Sequence, residues 1–223
     1  MNKNSAIAQL SRKVIALGFL ASVFGSISLL LIPSPALAHH ASGGKLPSSF
    51  ASGFLAGLGH PVIGIDHLVF VIAIGLLAAL SSKLGMVIPL TFILATAVGT
   101  GIHLQSVNLP IPELIISASV LIVGIFLAKE NKTNLALLII IAAIAGIFHG
   151  YAYGESIVGA RANAVGAYLL GFCLIQLGIS AIAFYVGKSI LKRASGSPSL
   201  PLRFAGFAVC GIGFAFLSSN ILG

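Results

Sequence analysis

The sequence predicts an all-α, polytopic membrane protein with six transmembrane helices behind a cleaved signal peptide. Three observations predict it. Of the 223 residues, 58% are hydrophobic and only 7% charged, too few charges to cover a soluble domain. Long apolar runs alternate with short polar breakers, and each run approaches the roughly 20 residues needed to cross a bilayer. The basic residues then fall on alternate loops, as the positive-inside rule requires.

Residues 1–38 read as a signal peptide. Lys3, Arg12 and Lys13 precede an apolar run from Val14 to Ile32, followed by Pro33, Ser34, Pro35 and the small-residue site Ala36-Leu37-Ala38. Cleavage after Ala38 leaves His39 as the first mature residue; an uncleaved anchor is the alternative reading. The mature region, residues 39–223, reads as one six-helix domain. Its apolar segments run from Pro61 to Leu80, Met86 to Leu104, Leu114 to Ala128, Leu135 to Tyr151, Asn163 to Gly187 and Leu202 to Ile221. Between them stand Ser81-Ser82-Lys83, the double-proline stretch Asn108 to Glu113, Lys129-Glu130-Asn131-Lys132, Gly154 to Arg161, and Lys188 to Arg203.

A cleaved signal places the mature N-terminus outside, so the odd-numbered spans run inward and the C-terminus is also outside. The first, third and fifth loops then carry Lys83, Lys129, Lys132, Lys188, Lys192, Arg193 and Arg203, while the outer side of the mature chain carries Lys45 and Arg161. Two independent signals thus agree on a multi-pass protein of the plasma (inner) membrane. The formal net charge of +8 belongs to these loops and gives no reason to expect nucleic acid as a partner. The lipid bilayer is the expected one, and the sequence is compatible with a homo-oligomer. Six spans leave no room for a soluble catalytic domain. No phosphate-binding Gly-rich loop and no His-Glu-x-x-His helix appear, so the chain does not read as an ATPase or an enzyme. Cys173 and Cys210 lie inside apolar segments and read as small hydrophobes.

With this topology all six histidines fall toward the outer face: His39 and His40 near the mature N-terminus, His60 and His67 at the start of the first span, His103 ending the second and His149 near the end of the fourth. Asp66, Glu113 and Glu155 are outer as well, and only Glu130 is inner. Ionisable groups in membrane segments are costly and mark functional sites by default, although a lone histidine can be a satisfied structural group. Imidazole with carboxylate is a ligand set for nickel, cobalt or zinc. His60, Asp66, His67 and His149 therefore read as a metal site with Glu155 nearby, His39 and His40 as collectors, and His103 as an outlying candidate.

His60 and His67 are seven residues apart, which on a regular helix shares a face but separates them by about 10 Å along the axis. Pro61 is favoured at a first helical position, with His60 as cap. Gly57, Gly59 and Gly64 permit an irregular start that folds His60 back over His67. Asp66 reads either as a ligand or as a group orienting one. In Phe148-His149-Gly150-Tyr151-Ala152-Tyr153-Gly154-Glu155, His149 closes the fourth helix, the glycines permit a turn, and the tyrosines read as interfacial anchors. Asn163 and Gln176 read as helix-packing hydrogen bonders as readily as site residues.

The His60-(five residues)-Asp66-His67 run and the Phe148-His149-Gly150 run with Glu155 resemble the two signature motifs of the HupE/UreJ family, hydrogenase- and urease-associated membrane proteins regarded as nickel or cobalt permeases. The likeness spans nearly the whole mature chain. It departs where Tyr153 stands in place of a further histidine often found there. The resemblance implies uptake of nickel or cobalt, carried as substrate and not held as a cofactor, with His60, Asp66, His67, His149 and Glu155 matching the motifs. The alternative reading is a haem- or metal-binding membrane protein that binds without transporting.

Overall fold

The computed structural model describes residues 46–81, 84–129, 133–193 and 200–222, and among them every regular element is a helix. The signal-peptide expectation and the positions of His39 and His40 lie outside the described residues. Seven helices follow in order among these residues: α1 Phe50–Ile63, α2 Ile65–Leu80, α3 Val87–Leu104, α4 Pro112–Ala128, α5 Leu135–Glu155, α6 Ala162–Arg193 and α7 Leu200–Leu222. Four of them (α3, α5, α6 and α7) are long and apolar enough to cross a membrane alone. The pair α1–α2 qualifies only as a unit, bent by 79° at its break, and α4 is a shorter apolar helix of 17 residues.

Three boundaries differ from expectation, each for a physical reason. The chain does not enter its first helix at Pro61 with His60 as cap. Ser49 caps α1 eleven residues earlier: its side chain accepts from the Ser52 amide at 3.2 Å, and the Ser49 amide reaches back to Ser52 Oγ at 3.0 Å. Pro61 sits in the last turn of α1, and the helix ends two residues later at Ile63, where the backbone turns extended at Gly64 (φ −72°, ψ 105°). The fourth helix does not close at His149 or Tyr151 but runs through Gly150 and Gly154 to Glu155. Those glycines make no turn; they admit another helix. The fifth helix continues through Lys188, Lys192 and Arg193, where a loop was expected, because a basic helical end needs no apolar partner.

Glycines set the helix pairs. Without a side chain, two backbones approach closely enough for dispersion to hold them, the usual basis of helix association in lipid. Gly53 and Gly57 rest on the backbone of Ala164 and Tyr168, and Gly75 rests on Ser180, so α1–α2 runs parallel to α6. Gly146, Gly150 and Gly154 rest on Phe92, Thr96 and His103, so α3 runs parallel to α5. Gly124, Gly206 and Gly213 rest on Cys210, Ala128 and Leu121, so α4 runs antiparallel to α7. Asn220 closes the far end of this last pair with a 2.7 Å bond to Ser117 Oγ. The centre is filled by Phe70, Ile74, Phe92, Val120, Val123 and Ala142 from α2 to α5.

The same contacts give direction. His67 in the first turn of α2 touches His149 near the end of α5, Ser119 midway along α4 touches that same His149, and Asn220 at the end of α7 reaches the Glu113 carbonyl at the start of α4. Hence α2, α4 and α6 point one way and α3, α5 and α7 the other. The starts of the first set and the ends of the second share one end of the bundle. That end holds His60, Asp66, His67, His103, Glu113, His149 and Glu155. Arg203, bonded to the Ala128 carbonyl at 3.0 Å, lies at the opposite end.

Candidate metal centre

The break at Gly64 builds the site. A continuous helix would hold His60 and His67 about 10 Å apart along its axis, but the bend brings their ring centroids to 5.8 Å. Both are nearly buried, at 5% and 4% exposure. The fold of His60 back over His67 that the glycines permit is what the chain adopts. A Cβ at Gly64 would press on the His67 ring and on Asp66 Oδ1, so that position needs glycine for space.

His149 arrives from α5. Its Nδ1 lies 2.8 Å from His67 Nδ1, a hydrogen bond between two imidazoles, and its Nε2 lies 3.0 Å from Ser119 Oγ. The His149 ring is fully buried, packed on Phe70 at 4.6 Å and on Phe92 at 5.4 Å between centroids. Both nitrogens of His149 are thus engaged by protein. The 2.8 Å contact also leaves no space for an iron porphyrin held between these two rings.

Tyr153 stands one helical turn beyond His149, on the same side of α5. Its ring packs edge-on against His60 at 4.9 Å and His67 at 4.7 Å. It is fully buried, not an interfacial anchor, because its side of α5 faces the α1–α2 break and Phe172 of α6. Its hydroxyl is a buried oxygen with no hydrogen-bond partner among the described residues. Tyr151, on another side of α5, is also buried and packs on His103 at 4.3 Å.

His60 is anchored by a second polar group. Its Nδ1 lies 3.2 Å from Ser156 Oγ, which lies 2.9 Å from the Tyr168 hydroxyl. Tyr168 donates to the Tyr153 carbonyl at 2.9 Å. This ties the end of α5 to α6 around His60.

The expected site residues therefore separate. His60, His67 and His149 converge. Asp66 is half-buried in the first turn of α2, where its Oδ1 accepts the His67 amide at 2.9 Å. A carboxylate there satisfies one of the unpaired N–H groups that begin a helix, next to the positive end of its dipole. Glu155 is exposed at the end of α5 and does not reach the cluster. His103 packs on the Tyr151 side of α5, away from His149. Asn163 is exposed, and Gln176 is fully buried, donating to the Phe172 carbonyl at 3.0 Å. Among the described residues, no three His, Cys, Asp or Glu side chains stand close enough to enclose an ion by themselves. Sequence reasoning missed Ser119, Ser156 and Tyr168. The signal for Ser119 was a polar residue inside an apolar helix; nothing marked the other two, since their role depends on which helix they face.

Apolar helices paired through glycine, with imidazoles buried at one end of the bundle, define the class of multi-pass helical membrane proteins. Comparison with known proteins narrows this. The profile of the HupE / UreJ protein family matches residues 27–216. Protein HupE of Rhizobium leguminosarum bv. viciae is 28% identical over 179 residues, covering 77% of this chain and 89% of the relative. No solved structure matches. The chain belongs to the HupE/UreJ family, which is associated with nickel or cobalt uptake for hydrogenase and urease and is of metal-transporter type rather than an enzyme family.

Proposed function

We propose that the protein carries a divalent transition-metal ion, nickel or cobalt, into the cell across the plasma membrane. The observation that carries this reading is the closure of His60 onto His67 across the Gly64 break, with the unpartnered Tyr153 hydroxyl beside them. Two imidazoles and an oxygen suit a borderline dication, with water completing the shell. Asp66 lies beside His67 and supplies negative charge at the mouth. His39 and His40 collect the ion outside, Glu155 and His103 flank its approach, and His60 and His67 receive it.

The proposed permease has six passes, four of them helices long and apolar enough to cross alone. In this reading α1–α2 is one broken pass and α4 a short one, the alternating helix directions support the count, and the basic loops lie inside with both mature termini outside. Broken helices near a substrate site are a recurrent transporter device. The pairing also supports a 3+3 inverted repeat: exchanging α2-α3-α4 with α5-α6-α7 turns the α2–α6 contact into α5–α3 and maps the α4–α7 contact onto itself.

In this reading the membrane potential drives the ion; every regular element among the described residues is a helix of the bundle. For a double charge it supplies about 4.6 kcal/mol per 100 mV, twice the single-charge value, a gradient of more than about a thousandfold. The test is uptake of labelled nickel and cobalt by cells expressing His67→Ala. Loss of at least about tenfold in uptake at unchanged protein level is expected, and transport equal to the parent would sink the site.

A further inference from the structure

We infer that Ser119 is a positioning residue which, through His149, sets the tautomer of His67 so that Nε2 carries the lone pair offered to the ion. The inference deepens the transport reading and rests on it for the word "ion", but the tautomer itself stands on geometry alone.

Three hydrogen bonds in series connect the residues. Ser119 Oγ lies 2.6 Å from the carbonyl oxygen of Ile116 and 3.0 Å from His149 Nε2. His149 Nδ1 lies 2.8 Å from His67 Nδ1. A hydroxyl has one hydrogen and two acceptor lone pairs. Two oxygens 2.6 Å apart repel unless a hydrogen lies between them, so the Ser119 hydrogen goes to the Ile116 carbonyl. Ser119 Oγ then accepts, and His149 Nε2 must be the N–H that donates to it. A neutral imidazole with N–H at Nε2 has its lone pair at Nδ1. His67 Nδ1 must therefore be the N–H that donates to His149, and in the neutral ring the lone pair lies on Nε2.

The chain of consequence runs in one direction because it starts from a fixed acceptor. A helix carbonyl cannot donate, so Ile116 orients everything beyond it. Ser119 is nearly buried at 5% exposure and His149 is at 0%. Phe70 and Phe92, themselves in contact, pack against the fully buried His149 ring, so water does not compete for its nitrogens. This is the second-sphere arrangement common at metal sites, where a ligating imidazole donates its other N–H to a fixed acceptor. Here the acceptor is another imidazole, itself fixed by a serine. His149 on this reading orients the ligand and does not bind the ion.

The direct test is nitrogen NMR of the full-length protein in detergent at pH 8, metal-free, with 15N-labelled histidine and resonances assigned by single His→Gln variants. His67 is expected protonated at Nδ1 and His149 at Nε2. The opposite pattern at either residue overturns the proposal, whether or not the protein transports anything. The functional arm measures nickel uptake in reconstituted vesicles for Ser119→Ala and Ser119→Thr. Ser119→Ala is expected to raise KM about tenfold or more, the usual cost of losing such a partner, with the maximal rate little changed. Ser119→Thr keeps the hydroxyl and is expected to retain the parent KM. A parental KM in Ser119→Ala, or equal defects in both variants, also overturns it. A parent protein that moves neither nickel nor cobalt refutes the transport reading instead, and leaves the tautomer measurement standing.

Discussion

At the scale of single residues, the proposed site separates groups placed to meet an ion from groups that hold them. Tyr153 is the clearest case of a side chain whose burial asks for an explanation. A buried hydroxyl without a partner costs about 1–3 kcal/mol, yet Tyr153 lies between two histidines with no hydrogen bond among the described residues. Tyr153→Phe keeps the ring packing and removes that cost. Its thermal unfolding temperature is expected to equal or exceed that of the parent, while nickel uptake falls several-fold. Unchanged uptake in a protein that is equally or more stable would reduce Tyr153 to packing. Asp66 reads differently from a simple ligand because its Oδ1 already serves the His67 amide. It reaches His67 through the backbone that carries the imidazole.

At the scale of elements, two glycines in the same bundle do different work. Gly64 makes room for the His67 ring at the break between α1 and α2, whereas Gly150 lets α5 lie against the Thr96 backbone of α3. Thr100 adds a 2.7 Å bond to the Gly150 carbonyl, fixing the register of that pair. Gly64→Ala meets a side chain that can shift, so the helices are expected to remain and the imidazole to move. Uptake should fall with little change in unfolding temperature. Gly150→Ala meets backbone that cannot shift without parting the helices, and a loss of about 1–3 kcal/mol is expected. Thermal unfolding and uptake measured on both variants check the contrast; equal stability losses would mean that the two positions act alike.

At the scale of the whole molecule, the proposed orientation rests on where the charges fall. Helix α6 has 32 residues, about 48 Å at 1.5 Å per residue, longer than the roughly 30 Å hydrocarbon core. Its excess carries Lys188, Lys192 and Arg193 beyond the apolar region at the end opposite the histidines. Val158, exposed between α5 and α6, and Leu84, exposed between α2 and α3, lie at opposite ends. Val158→Cys is expected to react with a membrane-impermeant maleimide on intact cells, and Leu84→Cys only after permeabilisation; the reverse pattern would invert the topology. In vesicles, an inside-negative potential set by a potassium gradient is expected to concentrate nickel inside, and collapsing it should leave simple equilibration. Accumulation that persists at zero potential would require another drive.

The sequence by itself determined the class: composition excluded a soluble chain, long apolar runs marked the helices, and the alternation of spans put the histidines and most acids at one end. These properties are local, set by what each stretch of chain must do with water or lipid. Most helices are therefore legible to within a few residues, α2 through α4 and α7 in particular. The tertiary structure decided everything that depends on which helix faces which. Helix α1 escaped because a 14-residue glycine-bearing stretch with a serine cap looks like a loop until α6 covers its glycines. The run through Gly150 and Gly154 escaped because glycine signals a turn in isolation and a close contact in company. The histidine pairing was half legible: a glycine-bearing run could bend, but only packing against α5 and α6 makes it bend there. Ser119, Ser156 and Tyr168 lie 30 to 108 residues from the histidines they support, and no local rule relates them, because a hydrogen bond between helices is a property of the fold.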